Sequence, residues 1–105
     1  MAAVTRSITA QNQFTDPISP FGPGNLGNAT HLGFLNLSLS GTWSATVFLQ
    51  RSFNNGSTWL DVASYTANTE KAIEDYEVGV LYRVGVKTGG FTSGTVVARL
   101  SNNQG

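Results

Sequence analysis

SFNNGSTW, residues 52–59, is the stretch whose reading decides the fold. The short polar side chain of Asn54 can accept hydrogen bonds from backbone N–H groups of a turn, and Gly56 can supply a positive φ. Trp59 is then expected to pack under the loop it follows. A segment of this kind reverses the chain, so the runs on either side should be the two strands of a hairpin. The upstream run TWSATVFLQRSF alternates accordingly, with Trp43, Ala45, Val47 and Leu49 on one face and Phe48 breaking the polar character of the other. Downstream, WLDVASY leaves two readings open. Either Leu60 and Val62 point inward, or Trp59, Ala63 and Tyr65 do.

Period-two alternation continues outward from the hairpin. Leu35, Leu37 and Leu39 share a face in LNLSLSG; so do Val80, Tyr82, Val84 and Val86 in VLYRVGVK, and Val96, Ala98 and Leu100 in TVVARLS. KAIEDY reads as a short, charged edge strand. TGGFTSG reads as a glycine-rich hairpin loop that exposes Phe91. No window carries helical periodicity. The expected fold is all-β, an antiparallel β-sandwich or jelly-roll-like small barrel of about seven strands.

Residues 1–28 differ in composition and hold the chain's three prolines, Pro17, Pro20 and Pro23. Val4, Arg6 and Ile8 suit a short strand, but proline removes ladder donors and glycine adds backbone freedom, so the segment reads as an extended Pro/Gly-rich N-terminal arm. The sandwich domain is then expected over 29–105. Phe14, Ile18, Phe21 and Leu26 are spaced too irregularly to form a face. They either pack on their own domain or dock on a neighbouring subunit, and with Phe91 they are the candidate interface residues.

At 105 residues the chain forms one domain, and without cysteine it must fold without disulfides or thiolate metal sites. Six basic side chains balance six acidic ones, and only 11% of residues are charged. That is far below the roughly 25% of an average domain. A neutral, ion-poor surface gives a nucleic-acid backbone little to hold. MAAVTRSITAQNQF lacks the apolar region of roughly 7 to 15 residues of a signal peptide. No apolar run approaches the about 18 residues of a membrane span. The expectation is synthesis in the cytoplasm, with no membrane partner.

Groups that could do chemistry are few. His31 is the only histidine, and its surroundings do not suggest a zinc site. The carboxylates Glu70, Glu74, Asp75 and Glu77 have no calcium-loop spacing, and nothing pairs Asp16 or Asp61 for glycoside cleavage. No catalytic residue, metal or cofactor is therefore expected. Trp43, Trp59, Tyr65, Tyr76, Tyr82 and Phe91 would have to share a surface to stack sugars, whereas core packing explains most of them more simply.

The octapeptide resembles the Asp-box hairpin, S-x-D-x-G-x-T-W, found in sialidases and many other β proteins, with Asn54 where that box has Asp. The resemblance implies a folded structural turn built on Ser52, Asn54, Gly56 and Trp59, on the periphery of the fold and without catalytic role. Over a longer span, FLQRSFNNGSTWLDVASYTAN (48–68) followed by GVLYRVGVKTGGFTSGTVVARLS (79–101) resembles the small β-sandwich virion proteins of tailed phages. That resemblance implies a structural component of the particle. A capsid decoration (cement) protein on the major capsid protein comes first, and a head-fibre or tail accessory piece second. A homotrimer that bridges capsomers, sited on the virion surface after synthesis in the host cytoplasm, is the expected assembly. The alternative is a glycan-binding or adhesion module.

Overall fold

A computed structural model of the chain describes residues 3–20, 33–75 and 79–102. Their strands are β1 (Ala3–Ile8), β2 (Gln13–Phe14), β3 (Gly33–Ser40), β4 (Trp43–Ala45), β5 (Val47–Ser52), β6 (Leu60–Tyr65), β7 (Thr69–Asp75), β8 (Leu81–Val86), β9 (Phe91–Gly94) and β10 (Val96–Asn102). Two four-stranded antiparallel sheets have the orders β1-β10-β3-β7 and β2-β8-β5-β6, called here the first and second sheets. A two-stranded ribbon, β4-β9, extends from them. The chain changes sheet at nearly every step. Among the described strands of the two sheets, only β5 and β6 are consecutive neighbours within one sheet. This is the strand order of a jelly roll.

The pairings nest. β1 pairs with β10, β2 with β8, β3 with β7, and innermost β5 with β6, all antiparallel. The molecule is thus one long two-stranded ribbon rolled over itself, and SFNNGSTW is the tip of that ribbon. Alternation supplies the face that the roll buries. Leu35, Leu37, Leu39, Val96, Ala98 and Leu100 line the first sheet; Val47, Leu49, Tyr82, Val84 and Val86 line the second; all are essentially inaccessible. Each of these strands presents its apolar side once per two residues, so a one-residue slip would turn that side to water. Neither reading left open for WLDVASY holds whole: Ala63 and Tyr65 pack on the core and Leu60 and Val62 are exposed, but Trp59 lies against Arg83 and not in the core.

Residues 3–20 are not an arm. β1 closes one edge of the first sheet along six register pairs with β10, and β2 closes an edge of the second. Ile18, expected at an interface, is 6% exposed and belongs to the core. Its N–H donates to the Tyr82 carbonyl (2.9 Å) and its carbonyl accepts from the Tyr82 N–H (2.8 Å). Proline at 17 and 20 removes donors only at those positions, so Ile18 between them can still make an isolated bridge. Phe14 lies across Gly85. A Cβ added at Gly85 would sit 2.6 Å from the Phe14 Cα, so glycine is what lets β2 approach. Phe21 and Leu26, with His31, Tyr76 and Glu77, lie outside the described residues.

Phe91 also departs from expectation. The turn closes early, with Gly90 N–H donating to the Lys87 carbonyl (3.0 Å) and Thr46 N–H to the Gly90 carbonyl (2.7 Å). Phe91 therefore begins β9 opposite Ala45 and packs against the core instead of projecting from a loop. Two substitutions probe this architecture. Leu37→Ala is expected to lower unfolding stability by about 2–5 kcal/mol, measured by denaturant titration. Gly85→Ala should also destabilise, with faster amide exchange at Thr15 and Ile18 as β2 is pushed off.

Candidate functional site

The β5–β6 turn is built by two side chains. Ser52 is buried, and its Oγ accepts from the N–H groups of Gly56 (2.8 Å) and Asn54 (3.3 Å) while donating to Asn54 Oδ1 (2.9 Å). Asn54 Oδ1 also accepts from Thr58 N–H (2.8 Å), and the Asn54 carbonyl from Ser57 N–H (3.3 Å). Asn55 and Gly56 follow with φ of 59° and 91°. Asn tolerates this left-handed region better than most residues, and Gly takes it freely. Of the four residues named from the sequence for the turn, Ser52, Asn54 and Gly56 are joined by these hydrogen bonds, while Trp59 lies against Arg83.

Trp59 leaves the turn toward the outer surface of the second sheet. Because Val47, Leu49, Tyr82 and Val84 face inward, the intervening Phe48, Gln50 and Arg83 face out. There Arg83 lies between two rings, with its guanidinium carbon 3.9 Å from the Phe14 ring centre and 4.4 Å from that of Trp59. Arg83 Nε donates to Gln50 Oε1 (2.8 Å), Gln50 Nε2 to Asp61 Oδ1 (2.9 Å), and Lys87 Nζ to Asp61 Oδ2 (2.7 Å). Lys87 in turn stands 4.2 Å from the centre of the Phe48 ring. Phe48, which spoils the alternation of β5 as a sequence, is explained by this cation contact. The stack fastens β2 and the hairpin to the sheet, each cation–π contact contributing about 0.5–1 kcal/mol at such a surface.

On β6 is an exposed apolar strip, Leu60 and Val62. Register passes from Ala63 opposite Leu49 to Asp61 opposite Gln50, so Val62 is the extra residue of a β-bulge. Val62 is 42% exposed, Leu60 47% and, at the hairpin end, Phe53 50%. β6 is also an outer strand of its sheet. The other outer strands read differently: β7 carries Glu70, Lys71, Glu74 and Asp75, β1 carries Arg6, and β2 is two residues long. Among the described outer strands, β6 carries a single charge, Asp61, and is the one with exposed large apolar side chains.

The remaining candidates are scattered. Tyr82 is 2% exposed, and burial, then its hydrogen bond to Asp75 Oδ2 (2.6 Å), pushes its hydroxyl pKa up to about 12. Asp75 also faces Arg51 (3.8 Å), joining the end of β7 to β5 across the two sheets. Trp43 Nε1 donates to Asn68 Oδ1 (2.7 Å) and its ring packs on the core, as do Tyr65 and Phe91. These aromatics share no surface with Trp59. Glu70 accepts from Ser38 Oγ (2.7 Å), and among the described residues no three His, Cys, Asp or Glu side chains converge. The Arg83 stack was not visible in the sequence, since its members come from β2, β8 and the end of the turn.

Comparison with protein-family models, with curated proteins and with solved structures finds no match to this chain.

Two outcomes follow from this geometry. Asn54→Asp keeps the acceptor and should leave stability nearly unchanged, whereas Asn54→Ala orphans the Thr58 amide and should cost about 1–3 kcal/mol in denaturant unfolding. Hydrogen bonds from Lys87, then from Gln50, lower the Asp61 pKa. A carboxylate with a depressed folded-state pKa stabilises the fold above its unfolded value of about 3.9 and loses that contribution as pH falls through the folded pKa. An NMR titration should therefore place the Asp61 midpoint below 3.8, and Lys87→Ala should raise it.

Proposed function

We propose that this chain is a non-catalytic structural subunit of a virus particle, a capsid decoration protein of the tailed-phage type that attaches through the β5–β6 end of its second sheet. The observation that carries this reading is the exposed strip of Leu60 and Val62 on β6, an outer strand with one charged residue, together with exposed Phe53 in the hairpin turn. Exposed large apolar side chains on an otherwise polar surface mark a contact surface. The resemblance of residues 48–68 and 79–101 to small phage virion proteins supports the particle as the setting. The jelly-roll strand order agrees with it as an analogy only, since that architecture serves viral capsid proteins, lectins and enzymes alike.

Residues 3–20 belong to the body of the sandwich, so docking is assigned to this strip and not to an N-terminal arm. The partner is the major capsid protein. A homotrimer would present three strips at once, so that modest contacts add to a high avidity. Binding the assembled shell but not its precursor stabilises the assembled state by mass action, without chemistry at any residue. The competing reading, a glycan-binding or adhesion module, is weakened by the dispersal of Trp43, Trp59, Tyr65, Tyr82 and Phe91 over the core and separate surfaces.

Co-sedimentation with shells stripped of the protein tests the proposal. Val62→Lys and Leu60→Lys should each reduce retention at least about tenfold, the equivalent of 1.4 kcal/mol, with little change in thermal unfolding. Retention equal to wild type, or sugar-specific binding on a glycan array that Trp59→Ala removes, contradicts it.

A further inference from the structure

Arg83 is held from several directions and is still incompletely used. Rings of Phe14 and Trp59 stand at 3.9 and 4.4 Å from its guanidinium carbon, and Nε is committed to Gln50. Gln50 is itself set by Asp61, and Asp61 by Lys87. The two terminal amino groups of Arg83, by contrast, donate to no partner among the described residues. No carboxylate neutralises the charge either, because the ion pairs among the described residues are Arg51–Asp75 and Lys87–Asp61. Among the described residues Arg6 and Arg99 also have no acidic partner, but neither stands between rings.

A guanidinium presents its terminal N–H groups as a planar fork that matches a carboxylate with two parallel hydrogen bonds. Binding ordinarily loses the rotamer freedom of a long side chain, about 0.5–1.5 kcal/mol. Here that freedom is already removed. We propose that Arg83 is a carboxylate-receiving site, and that its ligand is a Glu or Asp side chain of a protein partner.

A protein is favoured over an acidic sugar by what surrounds the fork. The Phe14 ring is engaged by Arg83 and lies against Gly85, while Trp59 stands against Arg83 and its Cζ2 is 3.7 Å from where a Gly56 Cβ would be. Neither is set up as an open platform for stacking a sugar ring. Two strands along the same sheet lies the apolar strip of Leu60 and Val62, the kind of surface that a protein partner covers. A half-buried Arg beside Trp also has the composition of interface hot spots. The assignment extends the docking reading above by naming the chemistry of the partner, yet it can be tested without particles.

The full chain, labelled with ¹⁵N, is titrated at constant ionic strength with the blocked tripeptide acetyl-Gly-Glu-Gly-amide, while the arginine side-chain resonances are followed. The Arg83 signals should shift saturably, those of Arg6, Arg51 and Arg99 should not, and the Gln analogue of the peptide should give no shift. Arg83→Lys keeps the charge without the fork and should weaken binding at least about tenfold. Wild-type titration alone decides the matter if that variant is unstable. Equal shifts at all arginines, or no shift at Arg83, overturn the site. Glucuronate binding tighter than the peptide overturns the choice of partner. Loss of particle retention in the Val62 and Leu60 variants with Arg83 titration intact would separate this assignment from the docking surface itself.

Discussion

Ser52 Oγ and Asn54 Oδ1 hold the bend on which the remaining pairings rest. Together they satisfy the amides of Asn54, Gly56 and Thr58 at the point where β5 turns into β6. Because β5:β6 is the innermost of the nested pairs, the register there is tied to which side chains of β5 face in and, through the β5–β8 pairing, to which side chains of β8 do. Leu49 opposite Ala63 and Val84 is a direct product of that choice. Shifting it by one residue would place Phe48 and Gln50 in the core and Val47 and Leu49 in water.

Much of this was legible in the sequence because the two signals involved are local. Alternation needs only neighbours, and it correctly assigned the inward faces of β3, β8 and β10. Turn chemistry needs only eight residues, and it found the hairpin. What the sequence hid depends on distant partners. Gln13, Phe14 and Ile18 read as arm residues because prolines surround them, and their place was set by a glycine far along the chain, Gly85, whose missing side chain admits β2. Phe91 read as loop because its glycines signal a turn without saying where the turn ends. The bulge at Val62 was likewise invisible in WLDVASY, where both inward readings took the alternation as unbroken.

The surface assembled around the hairpin had the same cause of obscurity. Phe14, Arg83 and Trp59 are separated along the chain, and each has an ordinary explanation alone. Only the antiparallel pairing of β2 with β8, and of β8 with β5, sets the three together over Gln50. The octapeptide therefore has two consequences. It ends β5 and begins β6 at a fixed register, and it delivers Trp59 to the outer face of the second sheet against Arg83.

Native-state hydrogen exchange at the turn tests this dependence most directly. If the bend underlies the whole roll, the Gly56 and Thr58 amides should exchange only through global unfolding, with the same opening free energy and denaturant dependence as the core amides of Leu49 and Val84. Exchange at Gly56 and Thr58 through a local opening about 3 kcal/mol or more below the global value, while the core stays protected, would show that the roll holds its register without the turn and would contradict the account.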